Sequence, residues 1–318
     1  MELKTDKARQ EAMNLALMSA MNKSNRSGFG WVLLDEEVKR LSSGSFVIGQ
    51  DDNTDLLINS IRDYIDELSH LIITCDPVIA FIDVEALCDV LELSSCRTVT
   101  IGYHDNLINN EKWTQWQHDW SGEVLYMPPT QVSERLNAGP KKLIKSHYPW
   151  LTGLSISAVS GHAMAFSDLS HEFGFNAFLK ELANKSRAVL FTPSQENIIS
   201  ILEGKNLNLE SHCFYQVESL GEVIAALNEC VLQQRTNVLL FSDLRFLQTV
   251  IQAELCDEII HHIGFESVEK ERAEEQPVIS PFENWSIVNS EVVGQCVRLT
   301  LGHLDEIKNL APSGMRLN

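Results

Sequence analysis

The residues best placed for chemistry sit where apolar runs give way to turns. Residues 236–263, TNVLLFSDLRFLQTVIQAELCDEIIHHI, hold the most ordered of these junctions. At Phe241-Ser242-Asp243 an unbroken apolar run, 237–241, meets a segment with apolar residues at 244, 247, 250, 251 and 255, the spacing of one helical face. A strand-to-helix turn presents free backbone N–H groups and the positive end of the helix dipole, so its usual ligand is a phosphate. That use calls for glycine, which lets the backbone approach the anion closely. Here there is none, and Asp243 places a carboxylate at the mouth. A carboxylate about 4 Å from a phosphate costs roughly 1–4 kcal/mol per charge pair. Ser242 and Asp243 are, on the other hand, good helix N-caps.

Other candidate groups favour structural roles. The seven cysteines, at 75, 88, 96, 213, 230, 256 and 296, contain no CxxC pair, which fits a reduced cytoplasmic protein. His261 and His262 are adjacent on a strand and face opposite ways, so one core and one surface histidine are expected, not a metal pair. Trp113, Trp116 and Trp120 recur at i, i+3 and i+7, a stripe that packs a helix onto a core. A base-stacking platform is the other use of such a stripe, and the charge opposes it: 44 acidic against 25 basic residues, net −19. His171-Glu172 reads as a helix start and 266–275 as a solvated acidic loop.

The elements that position these groups alternate along the chain. A helix is expected over 6–23, strands at 30–34 and 45–48, a helix over 55–68, a strand at 71–74, a helix over 84–93 and a strand at 98–103. Helix 111–120, strand 122–127 and helix 131–137 follow, then Gly139-Pro140 and a basic stretch that read as breakers. The second half alternates strand 150–157, helix 169–183, strand 187–191, helix 194–202, strand 213–217 and helix 220–233. It then enters the β-α-β unit of 237–263, the mark of a doubly wound sheet, and closes with two strands in 285–301. The expected domains are 1–127 and 149–318, joined by a connector over 128–148. No apolar run approaches ~18 residues, and the charged N-terminus MELKTDKARQEA does not read as a signal peptide, so neither membrane nor nucleic acid is an expected partner.

The β-β-α-β-α-β order of the first half is that of the cytidine-deaminase-like fold, and over nearly its whole length the chain resembles the RibD family. That family joins a zinc-dependent pyrimidine deaminase to an NADPH-dependent reductase of the dihydrofolate-reductase type. The resemblance implies two α/β/α domains, cytidine-deaminase-like followed by dihydrofolate-reductase-like (RibD C-terminal type). Its His-Ala-Glu falls on Asn53-Thr54-Asp55, its Pro-Cys on Pro77-Val78 and its second cysteine on Leu87, with Cys88-Asp89 matching the Cys-Asp that follows in many members. The histidine and two cysteines hold zinc in that family, and Asn, Val and Leu cannot replace them as a set. Without the metal, no water is brought toward a pKa of ~7. Asp55 keeps a carboxylate, which reads as a first-turn helix residue, and Cys75 reads as core.

In the reductase half, Pro149-Trp150-Leu151-Thr152 leading to Ala158-Val159-Ser160-Gly161-His162 resembles the family's Pro-Tyr-Val-Thr and Ser-Leu-Asp-Gly-Lys. Gly161 stays, while the aspartate is Ser160 and the lysine His162. The family's Glu-Gly-Gly turn falls on Phe241-Ser242-Asp243, and Leu255-Cys256-Asp257-Glu258 matches its Leu-Val-Asp-Glu. A β-α portion that follows a strand like 188–190 in active members is missing after Phe191. Three readings stand open: a non-catalytic RibD-like paralogue that binds, regulates or scaffolds; an active reductase whose altered NADPH pocket uses Ser160, Gly161, His162, Ser242 and Asp243; or an unrelated α/β protein. On the first, no metal and no cofactor are expected, a small-molecule ligand is allowed, and the chain is expected to form a homodimer. The dimer would be built through 149–318, since apolar Leu255, Ile259, Ile260 and Ile263 must be buried in the core or in a partner.

Overall fold

A computed structural model describes residues 2–24, 26–49, 55–108, 110–160, 162, 164, 166, 173–184, 186, 188–202, 212–264, 282, 285–293 and 296–303. The chain divides into two units, Met1–Pro149 with Gln233–Thr236, and Trp150–Leu232 with Asn237–Asn318.

The first unit runs α1 (Glu2–Lys23), β1 (Gly28–Leu34), β2 (Arg40–Val47), α2 (Asp55–Asp63), β3 (His70–Ile73), α3 (Val84–Leu93) and β4 (Thr98–Ile101). It continues with α4 (Glu111–Asp119), β5 (Glu123–Tyr126), α5 (Gln131–Leu136) and α6 (Ala138–Ser146). The sheet order is β2-β1-β3-β4-β5, with β1 antiparallel to both neighbours and β3, β4 and β5 parallel. Strand alternation divides two cores. Phe29, Trp31, Leu33, Leu71, Ile73, Val99 and Ile101 face α2, α3 and α4, while Val32, Leu34 and Ile72 face Ala12, Met13, Ala16, Leu17 and Ala20 of α1. Helix α1 lies close on β1 because Gly28 and Gly30 have no side chains: a Cβ at either would run into the carbonyl of Ala20 or Ala16. The tryptophan stripe is core, with Trp113 and Trp116 buried and stacked 5.0 Å apart.

Two expectations need correcting here. Gly139 and Pro140 do not break the chain but occupy the first turn of α6, where a missing N–H costs nothing; the helix ends at His147, in the left-handed region (φ 57°). Strand β2 begins at Arg40, well before 45, because pairing with the wholly buried β1 carries the polar Ser42 and Ser43 into the ladder.

The second unit runs β6 (Trp150–Ala158), α7 (Phe173–Asn184), β7 (Ala188–Phe191), α8 (Ile198–Leu202), β8 (Cys213–Gln216) and α9 (Leu220–Leu232). It ends with β9 (Asn237–Phe241), α10 (Leu244–Gln252), β10 (Glu258–Gly264), β11 (Trp285–Val293) and β12 (Cys296–His303). The order is β11-β12-β10-β6-β9-β7-β8, so β9 and β10 of the expected β-α-β unit flank β6, both parallel to it. Strand β12 alone is reversed among the described strands of this sheet, antiparallel to both β10 and β11. Leu154 and Ile156 of β6 share a core with Phe175 and Leu179 of α7, while Gly153 faces Leu247 of α10.

Because β10 lies inside this sheet with both faces covered, His261 and His262 do face opposite ways, yet both are buried; the expected surface histidine is not one. The same placement puts Ile259 and Ile260 in the unit's own core, with Leu255 and Ile263 half-buried, so these residues give no reason for a partner. The expected helix 194–202 is a 3-10 turn, Pro193–Gln195, followed by α8. Asn53, Gly161, the expected helix start at 169–172 and the expected acidic loop lie outside the described residues. Among the described residues no helix is long and apolar enough to cross a membrane.

Candidate functional site

The positions that match the family's zinc site are divided between surface and core. Asp55 opens α2 and is exposed, Val78 is half-buried against the core, and Leu87 of α3 is fully buried within it. Cys75 and Cys88 are buried nearby in sequence. Desolvation pushes the Cys75 thiol well up and that of Cys88 up to about 12, so both are held as thiols, the form that does not bind metal. Among the described residues no three His, Cys, Asp or Glu side chains gather into a metal site. Valine and a core leucine offer no donor, so the residues at these positions do not fit zinc.

A different constellation stands at the same end of the parallel strands. Asp76, three residues past β3, is 2% exposed. Its Oδ1 accepts the backbone N–H of Val78 at 3.0 Å, and its Oδ2 accepts the Trp113 Nε1–H at 3.2 Å. The same Oδ2 lies 3.2 Å from His104 Nδ1, and the Asp76 backbone N–H donates to Tyr103 O at 2.9 Å. Desolvation raises the Asp76 carboxyl above its ordinary value, against the donors aimed at it from Val78, His104 and Trp113. The His104 ring, past β4, lies 4.6 Å from that of Tyr126 at the end of β5, and Tyr126 Oη donates to Gln117 at 2.9 Å. Beside it, Asp105 takes Lys145 at 2.7 Å and Lys141 at 3.3 Å, and Lys141 reaches Tyr103 Oη at 3.0 Å. None of this was read from the sequence. The available signal was a polar residue three positions past the end of each of two parallel strands, in Cys75-Asp76-Pro77 and Tyr103-His104-Asp105.

In the second unit the expected pocket residues form two separate groups. Asp243 caps α10, accepting the Phe246 N–H at 2.9 Å, and takes Ser194 Oγ at 3.4 Å; Ser194 in turn lies 2.9 Å from Thr192 Oγ1. Ser242 is fully buried, its N–H bonded to Leu154 O and its Oγ without a hydrogen-bond partner among the described residues. Ser160 pairs with His162 instead, Oγ to Nδ1 at 2.8 Å, and both lie beyond the end of β6. Phe241 pairs with Leu154, whereas Ser160 follows Ala158, four residues farther along β6. Four residues of strand are about 13 Å. The turn at 241–243 has no glycine, and its first-turn N–H is already taken by Asp243, so it does not fit a phosphate-bearing cofactor.

No family model matches the chain, and no curated protein matches it in sequence. Solved structures do match. "Acinetobacter baumannii RibD, form 1" superposes at a TM-score of 0.64 with 16% identity, covering 93% of this chain and 99% of that one. A diaminohydroxyphosphoribosylaminopyrimidine deaminase/5-amino-6-(5-phosphoribosylamino)uracil reductase from Thermotoga maritima gives 0.64 and 15%, with the same two coverages. Identity this low carries the fold and not the chemistry. The chain therefore has the fold of the RibD deaminase/reductases over nearly its whole length, a cytidine-deaminase-like half followed by a dihydrofolate-reductase-like half.

Proposed function

We propose that this chain is a RibD-like paralogue from riboflavin biosynthesis that carries out neither deamination nor hydride transfer and serves in the cytoplasm as a binding, regulatory or scaffolding protein. The observation that carries this reading is Leu87: the position of a family zinc ligand is fully buried apolar core. The competing reading is an active uracil reductase with an altered NADPH pocket. It must build that pocket from Ser160, His162, Ser242 and Asp243, and their division into two groups counts against it. Protein purified without chelator is expected to contain no stoichiometric zinc, and NADPH is expected to bind more weakly than about 1 mM in calorimetry. One equivalent of zinc, or micromolar NADPH affinity, would overturn the reading.

The reading includes a homodimer through the second unit, with the edge strand β11 as its support. Its Ile287, Val288 and Val292 are 61%, 59% and 74% exposed on a nine-residue strand, a template for pairing with another chain. Light scattering of the full chain at micromolar concentration is expected to give twice the monomer mass, and Ile287→Lys to give the monomer. A strictly monomeric wild type over that range removes the dimer.

A further inference from the structure

Asp76, His104 and Tyr126 come from the ends of β3, β4 and β5, three adjacent parallel strands, and so reach the same edge of the first unit's sheet. In open α/β sheets that carboxyl edge is where ligands dock. We propose that it holds a site for a small flat molecule bearing an acidic O–H or N–H, with His104 Nε2 as the proton acceptor and the Tyr126 ring as the adjoining wall.

The hydrogen bonds fix which nitrogen of His104 is free. An ionised carboxylate only accepts, and Asp76 already receives two obligate donors, the Val78 N–H and the Trp113 Nε1–H. The third contact, His104 Nδ1, must then also be a donor. This leaves the lone pair on Nε2, which makes no hydrogen bond among the described residues, on a side chain 31% exposed. A carboxylate behind an imidazole holds its tautomer and stabilises the imidazolium that forms when Nε2 takes a proton.

Capping the turn at Val78 occupies only Oδ1 of Asp76, while Oδ2 both satisfies the buried Trp113 N–H and holds the His104 ring. The neighbouring charges do not compete: Asp105, Lys141 and Lys145 are paired with one another. Tyr126, 44% exposed and tied to Gln117, gives a flat fixed surface beside the imidazole. On binding, the ligand's O–H bond breaks and an Nε2–H bond forms, leaving an oxyanion beside an imidazolium that Asp76 balances; nothing is oxidised or reduced. This site is independent of the loss of either RibD chemistry, so its test is separate from the zinc and NADPH measurements.

The probe is 4-nitrophenol, whose visible absorbance reports its own ionisation, added to the full chain at a pH where the free probe is mostly protonated. Saturable appearance of the phenolate band is expected, together with a change in tryptophan fluorescence from Trp113. His104→Gln should abolish the band and weaken binding by about tenfold or more. Asp76→Asn should leave binding but lower the bound phenolate fraction, as a positioning residue would. Tyr126→Ala should weaken binding while the bound probe stays ionised. In wild type, imidazole nitrogen NMR should show His104 protonated at Nδ1, with Nε2 gaining a proton as probe is added, a readout that needs no variant. Absence of saturable binding, binding without ionisation, an unchanged response in His104→Gln, or an unmoved Nε2 resonance would each overturn the proposal.

Discussion

Between about pH 7 and pH 5 the second unit is expected to lose about 4 kcal/mol of stability through His261 and His262. Desolvation lowers His261 to about 4 from the ordinary 6.5. It lowers His262 to about 3, helped by Arg298, which stands directly across the strand pair. Above pH 6.5 both rings are neutral in folded and unfolded chains, and neither adds a pH dependence. As the pH falls below that value the unfolded chain takes up protons that the folded chain refuses, so folding weakens until the folded-state values are reached. Each unit of pKa shift is about 1.4 kcal/mol, and a domain holds only about 5–15.

The two histidines differ in how well they are satisfied. His261 lies between Ser155 Oγ (2.9 Å) and Ser157 Oγ (3.1 Å), whereas neither nitrogen of His262 has a hydrogen-bond partner among the described residues. The His262 ring meets Phe175 edge-on at 5.0 Å and lies 5.5 Å from Phe178. His262→Phe suits that aromatic surround, and it is expected to stabilise the unit at neutral pH by about 1–3 kcal/mol and to halve the acid dependence. In the first unit the raised Asp76 carboxyl acts in the opposite direction; the lowered His70 and Asp105 act in the same direction as the two histidines but through smaller shifts, so acid should loosen the second unit more. Hydrogen exchange resolved by segment, at a series of pH values, distinguishes the units. Equal protection of β10 at both ends of the range would sink the account.

Leu87→Ala is expected to cost 2–5 kcal/mol, the usual range for a buried leucine, and to do so whether or not a chelator is present. Leu87 is fully buried among Leu91, Ile79, Ile61 and their neighbours, so truncation leaves a cavity between α2, α3 and the sheet. If this position still served a metal, stability would fall on chelation in the wild type and less in the variant. Urea unfolding with and without chelator separates the two. A loss under ~1 kcal/mol would show that the site collapses freely and that Leu87 is not the core residue described.

The sequence by itself determined most of the helices and strands and their order, because those signals are local, though it missed α6 and the early start of β2. The apolar spacing of 244–255, the cap at Asp243 and the stripe of Trp113, Trp116 and Trp120 each need only a few neighbours to act, and the structure keeps all three roles. The RibD resemblance was legible for the same reason: order and spacing outlast identities, here 16%. What the tertiary structure alone decided was neighbourhood. Whether a strand residue is buried depends on what covers each face, so the central position of β10 buried His262 and Ile259, which alternation could not foretell. Register set the distance between the Ser160–His162 pair and the Ser242–Asp243 cap. The Asp76–His104 contact joins residues 28 apart in sequence, made neighbours only because β3 and β4 lie side by side and end together. A hydrogen bond between side chains is selected by position in space, and no periodicity in the chain records it.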